Sequence, residues 1–371
     1  MARYLSVVFV RIGRSVEGGN RGVLARRIER LANEGWLRWV VLLGVVALAM
    51  VGAHICRVDQ EVSLQGGTGV LPPTDLRVAM VTHGGIGDPF WDEVAAGAFA
   101  AQREFGIELF YDGDGNVNEQ VRLVDNAVAL GYDVLIVSLA DPDALEQSIR
   151  SAVAAGLLVM SINSGEERGR EFGAVTHFGQ PDGVAGLGAG ERLVSAGVRN
   201  LLCLIHEAGN VGLEARCANA GVALELAGGS MRRLFVVGTA DRVSTTGEIA
   251  AQLQADPSID GILALNSGIA ELAMAAIDSA GSDAKLATFD VSPTILLAIE
   301  AGEVLFAVDQ QAYLQGFLPV AFAYLRSLDP DAETGGILAG MERWAASGRL
   351  VTGPGFVDQT NVRRFPQLGK D

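Results

Sequence analysis

Cysteine and histidine are nearly absent from this chain of 371 residues, which holds three of the first and four of the second. The cysteines form no CxxC, and His54, His83, His177 and His206 show no metal-ligand spacing, so no metal centre is expected. "HEAGN" at His206 opens like the zinc signature HExxH, but Asn210 stands where the second histidine is needed. There is no GxxxxGK[ST] and no GxSxG elbow. "GGIGDP" at Gly84 follows an apolar run and precedes a helical one, as a dinucleotide loop would. It lacks the third glycine, and Pro89, Phe90 and Trp91 would crowd a pyrophosphate. With no activated nucleophile, metal set or cofactor loop, the chain reads as a binder and not an enzyme, with no cofactor.

Positive charge is scarce outside the first 56 residues. Those carry eight arginines against three glutamates, and the remainder carries 20 basic and 41 acidic residues. A body at net −21 repels phosphate backbones, which argues against a nucleic-acid partner. Disorder is excluded by a hydrophobic content of 49% and a mean hydropathy of +0.30.

The basic N-terminus precedes "WVVLLGVVALAMVGAHIC", 18 residues from Trp39 to Cys56 without a formal charge. As a helix it would span about 27 Å, close to a bilayer core. Arg26, Arg27, Arg30 and Arg38 would stay cytoplasmic and send the body outward. Two readings stay open: a signal peptide cut after Ala53, or an uncleaved anchor that tethers the protein through residues 39–56. Cys56 ends the run where a lipoprotein carries its acylated cysteine, but His54 and Ile55 are not the small residues such sites want. Either way the body is exported, to the periplasm or the cell envelope. Cys203 and Cys217 then form an even pair in an exported body, bonded to each other or left as two buried thiols.

Residues 57–74 are polar, glycine- and proline-bearing and without period, a linker. From Leu76 short apolar runs alternate with helical patterns: "RVAMVTH", "IELFY", "DVLIVSL" and "GLLVMSIN", then, after a connector at "AVTHFGQ", "NLLCLIH", "RLFVVGT", "DGILALN", "KLATFDV" and "VLFAVDQ". Continuous apolar strands between helices mean parallel sheets covered on both faces. About ten strands are too many for one ordinary sheet, so the expected fold class is α/β with two doubly wound parallel-sheet lobes. In such sheets ligands bind off the carboxyl ends of the strands. The residues there are His83, Ser138, Asn163, His206, Asn266, Asp290 and Gln310, nearly all able to hydrogen-bond.

The stretch "HGGIGDPFWDEVAAGAFAA" from His83 places Phe90 and Trp91 at the mouth of a glycine loop. There, "DPFW" resembles the N-P-F-F segment of the type I periplasmic sugar-binding proteins, the ribose-binding-like solute receptors of bacterial ABC transporters. "GLEARCANAGVA" is similar to that family's R-E-R-G-x-G-F segment. "ILALNSGIAELAMAAIDSAG" resembles its F-x-x-N-D-x-x-A-x-G-A motif, and the run from Leu286 to Gly316 its G-F-D to A-T-I-x-Q stretch. The resemblance spans about residues 75–365. It implies the two-lobed fold of that family and a simple sugar or polyol held between the lobes. Phe90 and Trp91 would sandwich the apolar faces of the ring. Asp88, Ser138, Asn163, Arg216, Asn266, Asp290 and Gln310 would contact its oxygens, Arg216 as a two-pronged donor and Asp290 as an acceptor for vicinal hydroxyls. The bland alternatives are that one aromatic is core, that Arg216 is a surface arginine, and that Asn266, Asp290 and Gln310 serve helix caps or the hinge.

Two departures from the family stand out. Asn163–Ser164 replace its Asp-Arg pair, and an aromatic expected near Ala240 is missing. The ligand therefore need not be ribose. The expected organisation is a basic N-terminus and signal or anchor helix over 1–56 and a linker over 57–74. A first lobe would take 75–179 and 311–349, and a second 180–310 and 350–365. The partners implied are the sugar or polyol and an ABC transporter permease, with the membrane added if the helix is retained. The alternative output is a sensory ectodomain feeding a chemoreceptor or kinase.

Overall fold

The computed structural model describes residues 75–85, 87–328 and 348–365, so the expected signal or anchor segment, Cys56 and the linker lie outside the described residues. β1 (Arg77–Thr82) leads to α1 (Pro89–Phe105), β2 (Glu108–Gly113) to α2 (Val117–Ala129), and β3 (Val134–Ser138) to α3 (Pro142–Ala154). β4 (Leu158–Ile162) leads to α4 (Glu166–Phe172) and β5 (His177–Gly179). The second lobe runs α5 (Asp182–Ser195), β6 (Asn200–Ile205), α6 (Val211–Leu226), β7 (Ser230–Phe235), α7 (Arg242–Ala255) and β8 (Gly261–Ala264). It continues with α8 (Ser267–Ala280), β9 (Lys285–Phe289), α9 (Pro293–Ala301) and β10 (Val304–Asp309). α10 (Ala312–Leu328) and β11 (Arg349–Val351) return to the first lobe, and β12 (Gly355–Asp358) ends on the second.

The two six-stranded sheets have orders β11-β5-β4-β3-β1-β2 and β12-β10-β9-β8-β6-β7, one topology used twice. All pairings are parallel except β10 with β12. The apolar runs explain the layers. In β1, Val78 and Met80 pack into one buried cluster and Ala79 and Val81 into another across the sheet. In β6, Leu202 and Leu204 face one side and Leu201, Cys203 and Ile205 the other. A strand buried on both faces must be apolar at every position, and helices must cover both faces. The body therefore shows the two-lobed α/β fold read from the sequence. Among the described residues no helix is long and apolar enough to cross a membrane.

Three details differ from the sequence reading. The connector at "AVTHFGQ" contains β5, a strand of three residues too short to register as an apolar run. β7 starts at Ser230, because this edge strand is largely exposed and carries Arg232 and Arg233. β11 pairs with β5, so Leu350 and Val351, read as second lobe, lie in the first sheet.

α10 joins the first lobe by close contact with α1. A Cβ on Gly97 would strike the carbonyl of Tyr313, and one on Gly316 that of Val94, so glycine on both helices sets their separation. The three crossings between lobes are tied together. Thr352 N donates to Gly179 O at 3.1 Å, and Thr352 Oγ1 to Gln310 O at 2.8 Å. Gln315 Nε2 donates to the same carbonyl at 3.0 Å.

Candidate functional site

The carboxyl ends of the two sheets face each other, and the residues following equivalent strands match in kind. His83 follows β1 and His206 follows β6; Asn163 follows β4 and Asp290 follows β9; Gln180 follows β5 and Gln310 follows β10. Between them lies a cavity of about 30 Å³, room for about one water molecule with the lobes in this arrangement. Asp88, Phe90, Trp91, Asn163, Arg216, Asn266, Asp290 and Gln310 all line it. Of the residues expected at the site, only Ser138 does not: it is fully buried, and its Oγ accepts from His83 N at 2.8 Å and meets His83 Nδ1 at 2.7 Å. A strand-end position does not tell which way its side chain turns, and Ser138 turns inward to orient the imidazole.

Gln310 is the hub. Its Nε2 donates to Asp290 Oδ1 at 2.6 Å, and its Oε1 accepts from Arg216 Nη2 at 3.1 Å and from Asn163 Nδ2 at 3.3 Å. Arg216 is buried. Its Nε donates to Asp182 Oδ1 at 2.7 Å, and its guanidinium lies 4.7 Å over the Phe289 ring. The ion pair to Asp182 and the aromatic face compensate a cation taken out of water and fix the fork in one orientation. Burial pushes Asp290 up to about 7, against the pull of Arg216 and of the Gln310 amide. Burial likewise raises Asp88, whose Oδ1 accepts from Phe90 N at 2.9 Å and caps α1.

The two aromatics part company. Trp91 is 4% exposed and belongs to the core beneath β1, with the His83 ring edge-on at 4.7 Å. Phe90 is half-buried and meets Trp91 edge-on at 5.0 Å. Neighbours on a helix point about 100° apart, so an adjacent pair at a helix start cannot both face a cleft squarely. Both line the cavity, Trp91 from the core and Phe90 as the more open aromatic wall.

The remaining alternatives resolve residue by residue. Asn266 Oδ1 does cap α8, accepting from Ile269 N at 2.7 Å. Asp290 caps nothing, since Ser292 caps α9. Gln310 serves both hinge and cleft, its carbonyl in the first and its amide in the second.

The sequence reading left His206, Glu207 and Asn210 out of the ligand set, and all three line the cavity. Because Asn266 Oδ1 is held by the cap, its Nδ2 is the group that meets His206 Nε2, at 3.0 Å. That makes Nε2 the acceptor and places the proton on Nδ1, which is buried with no partner among the described residues. Asn210 caps α6 through Oδ1, and its Nδ2 donates to Glu207 Oε2 at 2.6 Å. Burial lowers His83, so at neutral pH its 3.6 Å approach to Glu207 joins a carboxylate to a neutral imidazole. Glu207, which burial raises, ends below its usual value because His83 and His206 face it and Asn210 donates to it. The strand-end position of His206 was the available signal.

The lobes also touch each other directly. Val211 N donates to Ala140 O at 3.0 Å, Ser164 Oγ to Asn210 Oδ1 at 3.3 Å, and Asn210 Nδ2 lies 3.4 Å from His83 Nε2. Cys203 of β6 and Cys217 of α6 are joined by a disulfide, which pins the helix carrying Arg216 to the central sheet. Carboxylates at Asp88, Glu207 and Asp290, fixed donors at Arg216, and one aromatic face suit a neutral ring carrying hydroxyls all round.

A family model described as periplasmic binding protein domain matches residues 78–326. The crystal structure of a carbohydrate transporter from Acidothermus cellulolyticus, in complex with myo-inositol, superposes with a TM-score of 0.72 at 38% identity, over 78% of this chain and 96% of that one. The D-ribose/D-allose-binding protein of Pseudomonas aeruginosa is 25% identical over 286 residues, 72% of this chain and 87% of its own length. The ribose import binding protein of Bacillus subtilis is 25% identical over 239 residues, 63% of this chain and 76% of its own.

Proposed function

This chain belongs to the periplasmic binding protein family, and from that premise we propose that it is the extracytoplasmic receptor of a sugar ABC transporter whose ligand is a cyclic polyol or a simple sugar. The observation that carries the reading is the cleft itself. Polar strand-end residues of both lobes converge on one small cavity with Phe90 as its aromatic wall. Asn163–Ser164 in place of a carboxylate–arginine pair removes a charged contact to the ring and favours a ligand other than ribose. Myo-inositol, the ligand in the structure at 38% identity, is a ring with a hydroxyl on every carbon and suits acceptors placed on several sides. The chain binds and delivers its ligand to a permease and carries out no reaction on it. Residues 39–56 take it across the membrane, as a signal removed near Ala53 or as a retained anchor.

Isothermal titration of the protein with myo-inositol, D-ribose, D-allose and D-arabinose tests the reading. The expected result is one-to-one binding, tightest for myo-inositol. No heat with any of the four, and no thermal shift across a wider sugar panel, would overturn it. N-terminal sequencing of the protein recovered from its native envelope distinguishes cleavage from anchoring.

A further inference from the structure

Beyond Phe90 the cleft does not end. A second cavity of about 260 Å³ lies against the first and shares Phe90, Asp290 and Gln310 with it. Its character is different. Phe90 and Tyr313 of the first lobe face Val291, Leu296 and Phe365 of the second, and the charged groups on its wall, Glu93, Asp290 and Asp309, are all acidic. Tyr313 is 42% exposed at the start of α10.

We propose that this cavity is an aglycone subsite, so that the receptor also takes cyclic polyols or sugars bearing one neutral apolar substituent, an alkyl or aryl ether or glycoside. The proposal rests on the reading of the first cavity as the polyol site and extends its substrate class. Three features carry it. The polyol cavity is much the smaller of the two, about 30 Å³ against about 260 Å³, so a substituent on a ring held there must leave it somewhere. The shared wall offers the exit: Asp290 and Gln310 can hold ring hydroxyls on one side while Phe90 passes the substituent to the other. Apolar side chains gathered in a concavity, and not spread over a convex surface, mark a place where an apolar group is removed from water.

Charge decides the class of substituent. With three carboxyl groups and no lysine or arginine on its lining, the cavity repels a phosphate or uronate arm. Its two walls come from different lobes. A substituent seated there is clamped by the same closure that traps the ring, and it adds to the preference for the closed form and does not prop it open.

The test compares myo-inositol with its mono-O-benzyl ethers, each regioisomer titrated separately by calorimetry, and D-ribose with phenyl β-D-ribofuranoside. At least one substituted ligand is expected to bind roughly tenfold or more tighter than its parent, as a hydrophobic pocket gives for added apolar groups. Tyr313→Ser, at an exposed position outside the polyol cavity, should remove that gain and leave the parent affinity unchanged, and Tyr313→Phe should keep it. Parents that bind while every ether and glycoside is rejected would overturn the subsite and leave the polyol reading standing. A gain that survives Tyr313→Ser unchanged would also overturn it. A benzyl ether that binds where no parent does would support the subsite and end the free-polyol reading, and no binding by any ligand would end both.

Discussion

Asn163 and Asp290 hold the same place in the two lobes: each is the first residue after the third strand of its sheet counted from the hinge edge, and each has a left-handed backbone, with φ of 61° and 65°. A side chain in that conformation is strained by roughly 1 kcal/mol or more, least for asparagine and aspartate. In return the backbone turns both side chains to the cleft, where Gln310 donates to Asp290 at 2.6 Å and accepts from Asn163 at 3.3 Å. One glutamine at the hinge therefore joins the strained position of one lobe to that of the other.

The strain can be separated from the contact. Asn163→Gly and Asn163→Ala both lose the amide, but only glycine adopts the left-handed backbone freely. The glycine variant should be more stable than the alanine variant by about 1 kcal/mol, with ligand affinity lowered equally in both. Urea unfolding and calorimetry on the pair check this. Equal stabilities would mean that the backbone at Asn163 is not under strain.

The aromatic pair gives an asymmetric prediction. Trp91 fills the space beside Gly84 and His83 in the core, so Trp91→Ala should cost about 3–5 kcal/mol of stability, as large-to-small core changes do. Phe90→Ala should cost far less stability and weaken ligand binding by about 1–3 kcal/mol. Chemical denaturation and calorimetry on both variants decide it. A stable Trp91→Ala protein with lost affinity would reverse the assignment.

The fold was readable because its strands are buried on both faces. Val78–Val81 of β1 and Leu201–Ile205 of β6 leave no room for a polar residue, and such runs stand out in a sequence. The short strands β5, β11 and β12 have no such run to show, and the exposed edge strand β7 begins three residues before the run "RLFVVGT". At the site, Asp290 and Gln310 stand out by motif and strand-end position together, and Arg216, on a helix, by motif alone. Ser138 was misplaced because position does not fix side-chain direction. The donor at His206 depends on a cap bond made by Asn266, sixty residues further along the chain, which only the folded arrangement brings to it. Glu207 and Asn210 were passed over because "HEAGN" fails as a zinc signature, although their carboxylate and amide serve a hydroxylated ligand well.

The disulfide is directly testable. Peptide mapping after alkylation without reductant should find Cys203 and Cys217 linked and unlabelled. Because the two lie 14 positions apart, reduction should cost about 3 kcal/mol of stability in the chain-entropy model. Label on both residues would show that the bond does not form.

Asp290 makes stability depend on pH. Its carboxyl is raised to about 7 by burial in the folded protein, against roughly 3.9 in the unfolded chain. Between those values the unfolded chain has released this proton and the folded one still holds it. The contribution is therefore complete below about pH 4 and lost as pH rises towards about 7, on the order of 2–4 kcal/mol in all. Asp290→Asn keeps an acceptor for Gln310 and removes the titration. Compared with the wild type, the variant should gain melting temperature steadily from pH 4 to pH 7 and hold level above. A difference that does not change with pH would show that Asp290 ionises at its ordinary value.

Closure is the last quantity at issue. Among the described residues the contacts that join the lobes across the cleft include Val211 to Ala140, Ser164 to Asn210, Asn210 and Glu207 to His83, and Asn163 to Gln310. Each such bond contributes about 1 kcal/mol net, and water can replace every one of them when the lobes part. Contacts of that size leave the balance between open and closed to be set by the ligand. A ligand bonded to Asp88 on one lobe and to Arg216 and Asp290 on the other is held fully in the closed state alone. It shifts the balance by the difference between its affinities for the two states. Small-angle scattering should therefore show a radius of gyration that falls when saturating myo-inositol is added to the wild type. With Asp290→Ala, which removes an acceptor from one side only, the same fall should need a higher ligand concentration. A wild-type radius that stays constant while calorimetry shows the ligand bound would mean that binding and closure are uncoupled in this protein.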